Sequence, residues 1–228
     1  TPPPLRRVSA DAQVVRRLAI CRDDLGIRPY ARRTPANRSV RSCMLFFSMG
    51  LSLDGFVADR DGDFNWSVPN DELFEFHTDR IRELGGAEIL GRRLYETMRV
   101  WETDPAMRHD EASIAFADLW TALPKVVFSR TLDSVEGNAR LARRPLADEI
   151  AEVVGSTDGD VEIGGADLAS QAFEQGLVDE LRVFRYPVVV GGGTAFFPPV
   201  TARVDLDLVE TRVFGDQVIY ERHRVNRK

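Results

Sequence analysis

Residues 161–170 read V-E-I-G-G-A-D-L-A-S, and this stretch decides the fold. Apolar residues alternate into two adjacent glycines, and an alanine-rich helical pattern starts at once. That is a strand feeding a helix through a turn without Cβ atoms. Backbone there can approach a ligand closely, and the free N–H groups and dipole of the helix start favour an anion. One reading is a turn that holds the pyrophosphate of a dinucleotide. The other is a tight strand-to-helix turn with no ligand. A glycine pair is less than a full dinucleotide fingerprint and does not separate the two.

Working outward, the same alternation recurs. Residues 45–51 form a buried strand, Ser52-Leu53-Asp54-Gly55 a turn, and residues 56–58 a short extension. A loop over residues 59–63 leads to Trp66. A helix then starts at Pro69-Asn70-Asp71, with Asn70 as its cap and Asp71-Glu72 in its first turn, and Gly85-Gly86 stop it. Strands over 87–90 and 125–128 and helices over 113–123, 146–154 and 166–175 follow, then a long strand over 181–190 and the loop Gly191-Gly192-Gly193. Residues 205–213 and 217–225 alternate about a Gly215-Asp216 turn, which is a hairpin. The expected fold is α/β: a mainly parallel central sheet with an antiparallel C-terminal hairpin, covered by helices on both faces.

Composition narrows the function. The chain has 228 residues, of which 43% are hydrophobic and 29% charged, suiting one globular domain with a core. No run is long and apolar enough to span a membrane. Cys21 and Cys43 are too few for a disulfide framework, which makes a reducing cytoplasm the default. His77, His109 and His223 are too scattered for a histidine-based metal site, and no metal is expected. Residues 1–43 hold ten Arg and three Asp, a net +7 that leaves −13 on the rest against a total of −6. An acidic body is a poor nucleic-acid binder, so any such affinity would come from the tail. That tail holds five of the twelve prolines and no sustained hydrophobic period, and reads as a disordered basic extension. It could be an interaction tail, an organelle-targeting peptide, or sequence upstream of a natural start at Met44; the last is the favoured reading.

Three turns share one form. Leu90-Gly91-Arg92-Arg93, Phe128-Ser129-Arg130-Thr131 and Ile163-Gly164-Gly165-Ala166 each follow a short apolar strand. Ligands of open α/β sheets bind beyond the carboxyl ends of the strands, so the three should line one edge. Together they offer helix-terminal N–H groups, hydroxyls and guanidinium groups. Arg donates bidentate hydrogen bonds to a phosphate monoester, which points to NADPH rather than NADH.

The ordered set Ser52-Leu53-Asp54-Gly55, Trp66, Leu90-Gly91-Arg92-Arg93-Leu94-Tyr95-Glu96, Lys125-Val126-Val127-Phe128-Ser129-Arg130-Thr131-Leu132, Gly164-Gly165-Ala166-Asp167-Leu168, Leu177-Val178-Asp179-Glu180-Leu181 and Pro187-Val188-Val189-Val190-Gly191-Gly192-Gly193 resembles the dihydrofolate reductase-like superfamily. Its nearest resemblance is to the branch of the reductase domain of riboflavin-biosynthesis deaminase-reductases and their stand-alone relatives. The resemblance covers about residues 44–225. It implies a three-layer α/β/α domain over 44–228, NADPH as cofactor and a homodimer. Gly91, Arg92 and Arg93 resemble the turn holding the pyrophosphate and 2′-phosphate. Ser129, Arg130 and Thr131 resemble the second 2′-phosphate loop, and Gly164, Gly165, Ala166, Asp167 and Leu168 the pyrophosphate turn. Gly50 and Val57 fall where the nicotinamide ring is framed.

The resemblance implies an NADPH-dependent reductase acting on a C=N or C=O bond of a small pteridine- or aminopyrimidine-like heterocycle. It would be similar to dihydrofolate reductase or to 5-amino-6-(5-phosphoribosylamino)uracil reductase. The alternative is a nucleotide-binding protein of the same fold without turnover. Reduction leaves a negative charge that needs a proton donor. Asp71 stands where the superfamily's active-site carboxylate lies, and Asp54 is a second candidate. Each also has a structural reading, Asp71 as a helix-dipole partner and Asp54 as a side chain capping its own turn. Trp66 and Glu72 are candidate substrate contacts. Riboflavin-pathway reductases carry basic and hydroxyl residues after the Trp, whereas here Asp71, Glu72 and Glu75 make that region acidic and unfavourable for a phosphorylated substrate.

Overall fold

A computed structural model describes residues 43–197, 203–215 and 217–226. The chain divides into two units, Thr1–Val40 and Arg41–Lys228, and every described residue belongs to the second. The basic extension expected over 1–43 lies outside the described residues, apart from Cys43.

The first long strand, β1 (Leu45–Ser52), runs through the middle of an eight-stranded sheet. On one side it pairs in parallel with β6 (Val161–Gly164), which pairs with β3 (Ala87–Gly91), then β4 (Lys125–Phe128) and β5 (Ala139–Leu141), all parallel. On the other side β1 pairs in parallel with β7 (Glu180–Tyr186). An antiparallel hairpin, β10 (Val218–Val225) and β9 (Leu206–Phe214), closes that edge. A separate two-stranded ribbon joins β2 (Phe56–Ala58) to β8 (Thr194–Ala195).

Period-two patterning explains the layers. In β3, Ile89 faces a cluster with Val126, Ile163 and helices α5 (Leu146–Gly155) and α6 (Ala166–Glu174). Its neighbour Leu90 faces the opposite cluster, with Val127, Tyr95 of α2 (Arg92–Met98) and Phe116 and Trp120 of α4 (Glu111–Ala122). Helix α1 (Asp71–Leu84) covers the same face further along, where Leu73 and Phe76 pack on Phe184, Phe214 and Tyr220. A short α3 (Val100–Thr103) completes the set. The fold is the three-layer α/β/α dihydrofolate reductase-like arrangement, with a mainly parallel sheet and an antiparallel C-terminal hairpin.

Two local readings change. The strand expected over 181–190 ends at Tyr186, because Pro187 has no N–H to donate to a ladder. Residues 92–98 form a helix where the sequence offers a turn alone; its cap is Gly91, which gives no side-chain signal.

Candidate functional site

The six parallel strands end on one edge, and the three turns lie side by side there. Leu90 pairs with Gly164 and Gly91 with Phe128, so β4, β3 and β6 stop in register. The turns touch: a Cβ on Gly165 would come within 3.6 Å of Gly91 N, and one on Gly164 within 2.6 Å of Leu94 Cδ2. Gly165 has φ 93°, a conformation that side-chain-bearing residues rarely adopt. No side chain caps α6 or α2, which leaves the first-turn N–H groups of both helices, Ala166, Asp167 and Leu168 among them, to the edge. Asp167 is exposed in the first turn of α6, and Ala166 and Leu168 are buried.

The arginines differ. Arg92 turns back along its own helix to Glu96, 3.0 Å away. Arg93 and Arg130 are exposed and make no ion pair among the described residues. Ser129 Oγ accepts hydrogen bonds from Thr131 N at 3.1 Å and Leu132 N at 2.9 Å, which fixes the loop carrying Arg130. The edge thus presents backbone donors and two free guanidinium groups. That donor set fits a phosphorylated dinucleotide.

Further along lie the residues assigned to the reacting end. Gly50, near the end of β1, faces Tyr186: a Cβ there would meet Tyr186 Cε2 at 3.1 Å and Ser67 Cβ at 3.7 Å. Val57 in β2 is half-buried against the cluster around Leu51 and Phe196. Trp66 meets Tyr186 edge-on, with ring centroids 5.9 Å apart. Beside this pair is a cavity of about 160 Å³ lined by Trp66, Val68, Asn70, Tyr186, Pro187, Val188, Gln217 and Val218.

The carboxylates are engaged unequally. Asp54 Oδ1 accepts from Ser52 Oγ at 2.6 Å and Val190 N at 3.2 Å, and Oδ2 from Gly191 N at 2.8 Å. The Ser52 bond, with those backbone N–H groups, holds its carboxyl below the usual range. Such a group anchors the 190–191 loop and gives up no proton near neutrality. Glu72 accepts from Arg212 Nη2 at 2.8 Å and Gly215 N at 3.2 Å, tying α1 to the hairpin turn. Asp71 is exposed at the start of α1 and does not line the cavity.

Sequence reasoning overlooked Tyr186, Asn70 as a cavity wall, and Gln217. The available signal was Pro187, which marks Tyr186 as a strand end rather than a strand interior. Among the described residues no group of three or more His, Cys, Asp or Glu is placed to hold a metal ion, and no helix is long and apolar enough to cross a membrane.

The RibD C-terminal domain model matches residues 44–158 and 161–220. The uncharacterized protein YyaP of Bacillus subtilis (strain 168) is 26% identical over 179 residues, covering 77% of this chain and 91% of that protein. A candidate riboflavin biosynthesis protein from Shewanella sp. PV-4 has a similar structure, with a TM-score of 0.66 at 22% identity over 81% of this chain and 99% of that one. Dihydrofolate reductase from Enterococcus faecalis, solved with NADP(H), gives 0.56 at 18% identity over 81% and 97%. At these identities the solved structures speak for the fold.

Proposed function

Since this chain belongs to the RibD C-terminal domain family, we propose that it is an NADPH-dependent reductase of a small pteridine- or aminopyrimidine-like heterocycle, acting on a C=N or C=O bond. One observation carries the reading: three strand ends in register offer uncapped helix starts and two unpaired arginines on a single edge. When bound, NADPH supplies a hydride. The first-turn N–H groups of Ala166, Asp167 and Leu168, with the Gly91 and Gly164-Gly165 turns, would hold its pyrophosphate. Arg93 and Arg130, with Ser129 and Thr131, would hold the 2′-phosphate, and Arg92 would have to leave Glu96 to join them. Gly50 and Val57 would frame the nicotinamide end, and Trp66 would border the substrate. Asp71 is the remaining candidate proton donor, because Asp54 and Glu72 are committed to other partners.

That commitment also supports a second reading, binding without turnover. Titration with NADPH, followed by nicotinamide fluorescence, tests what the two share. Absence of binding at physiological concentrations removes both. Binding without oxidation across a panel of pterins and aminopyrimidines leaves the second.

A reduced nicotinamide cofactor and a free Cys43 suit a cytoplasmic enzyme. We assign the expected homodimer contact to the hairpin face that carries Ile219 and Val213, directly paired, with Leu208 and Leu206 beyond; all four are exposed. Replacing Leu208 and Ile219 by Lys should convert a dimer to a monomer in sedimentation equilibrium. A wild-type chain that is monomeric at every concentration removes this assignment.

A further inference from the structure

The small cavity beside Trp66 has a chemistry of its own. None of its eight lining residues carries a charge. Of the two acids in the first turn of α1, Asp71 does not line the cavity and Glu72 is spent on Arg212 and Gly215. A phosphate or a protonated amine placed there would lose water and gain no counter-charge, at a cost of several kcal/mol. At about 160 Å³ the space is below the ~300–1,000 Å³ typical of drug-sized ligands, so it takes the edge of one ring and no ribosyl phosphate.

Of the two hydrogen-bond donors carried by Trp66 and Tyr186, only the Tyr186 hydroxyl is open to a ligand. Trp66 Nε1–H is buried and has no partner among the described residues. Tyr186 is only 6% exposed, yet its hydroxyl makes no hydrogen bond among the described residues and, unlike the Trp66 nitrogen, is reached by solvent. The same ring adjoins Gly50, where a Cβ would meet its Cε2 at 3.1 Å. Tyr186 therefore borders both the cavity and the strand end assigned to the nicotinamide. Burial pushes its phenol up to about 12, which keeps the proton on the oxygen throughout the physiological range.

We propose that Tyr186, its ring held edge-on by Trp66, donates a hydrogen bond to the acceptor edge of an uncharged, unphosphorylated ring, and that this hydroxyl selects the substrate. This rests on the reductase reading and goes further by naming the substrate class and a substrate-touching residue. A polar group left without an acceptor disfavours any ligand that presents an apolar or cationic edge. The ring's carbonyl or imine lone pair satisfies the Tyr186 hydroxyl, and Trp66 stacks its edge against the same phenol.

The test uses the full chain saturated with NADPH and three probes: an aminouracil ribonucleoside, its 5′-phosphate, and a protonated 2,4-diaminopyrimidine. Binding is read from tryptophan fluorescence, with Trp66→Phe identifying the signal that belongs to Trp66. The uncharged nucleoside should bind best. Tyr186→Phe should weaken it about three- to ten-fold, the worth of one hydrogen bond, and leave NADPH affinity and the far-ultraviolet dichroism unchanged. Equal binding of the nucleoside by Tyr186→Phe overturns the role of Tyr186. Tenfold tighter binding of the phosphate or of the cation overturns the substrate class. Failure of NADPH itself to bind sinks the reductase reading instead, so the two failures are distinguishable.

Discussion

The two ends of the parallel strands are built on opposite principles. At the amino ends, charge is buried against other protein charges, and not all of it is matched: burial and the neighbouring Glu162 push the carboxyl of Glu88 well up. Lys125, opening β4, has a fully buried ammonium that donates to Leu123 O at 3.0 Å, pairs with Glu102 at 2.8 Å and lies 4.7 Å over the Trp120 ring. Glu180, opening β7, receives Arg182 at 2.7 Å and Arg222 at 2.8 Å. Asp179 accepts from Leu45 N at 2.8 Å. At the carboxyl ends the turns hold glycines, uncapped helix starts and two arginines without ion pairs. One end turns its charged groups inward on one another; the other leaves donors for a ligand to complete. Substitutions at the first should change stability and spare binding, and substitutions at the second should do the reverse.

The largest expected effect is at the amino end. Lys125→Met leaves Glu102 buried without its cation and should cost about 3–5 kcal/mol in urea unfolding. NADPH affinity of the folded fraction should not move; if it does, the two ends are coupled. Next, the double substitution Arg93→Ala with Arg130→Ala should raise the Kd for NADPH roughly ten- to a hundred-fold, the worth of one charged hydrogen bond of ~1.5–3 kcal/mol, because two exposed side chains share a single phosphate. NADH affinity and the melting temperature should stay as they were. An equal loss for both cofactors would remove the arginines from the 2′-phosphate role. Gly165→Ala is the mixed case. Its positive φ should make the variant about 1–3 kcal/mol less stable and weaken NADPH as well, readable as a smaller thermal shift on adding cofactor.

The remaining effect is on the acid side and is absent at neutral pH. The His77 ring lies 4.6 Å from that of Phe184, and burial together with the neighbouring Arg80 holds its pKa at about 3 against an ordinary 6.5. Below pH 6.5 the unfolded chain binds a proton that the folded chain refuses. Stability is therefore complete above that pH and falls as pH drops towards 3, by about 1.4 kcal/mol per unit at most. His77→Phe should flatten this slope in denaturant titrations between pH 4 and 6. An unchanged slope would assign acid sensitivity to other groups.

Much of the fold was legible because period-two strands and glycine-marked turns are local signals. Residues 161–170 announced both β6 and α6, and Asn70 announced the start of α1. Elements that depend on distant partners were not legible. Thr194-Ala195 is a strand only because β2 lies opposite, and residues 139–141 only because β4 does. The site followed the same rule. The three turns proposed to hold a cofactor carry their signature in adjacent residues. Tyr186, Asn70 and Gln217 come together only when α1 and the hairpin meet beyond β7. Asp54 and Glu72 were visible as acids, but apart from the Ser52 bond to Asp54 the hydrogen bonds that occupy them span more than 130 residues of chain.

The contact between the Gly91 and Gly164-Gly165 turns bears on how the protein could change. Holding the middle of a dinucleotide, on the proposed reading, would fall to two backbones in van der Waals contact, where the positive φ of Gly165 and the Leu94 side chain beside Gly164 restrict substitution. Discriminating one nicotinamide cofactor from another would fall to Arg93 and Arg130, whose side chains stand clear of that contact. Cofactor preference is thus separable from the scaffold. A lineage, or a designer, could retune it at two surface positions and leave the cradle untouched.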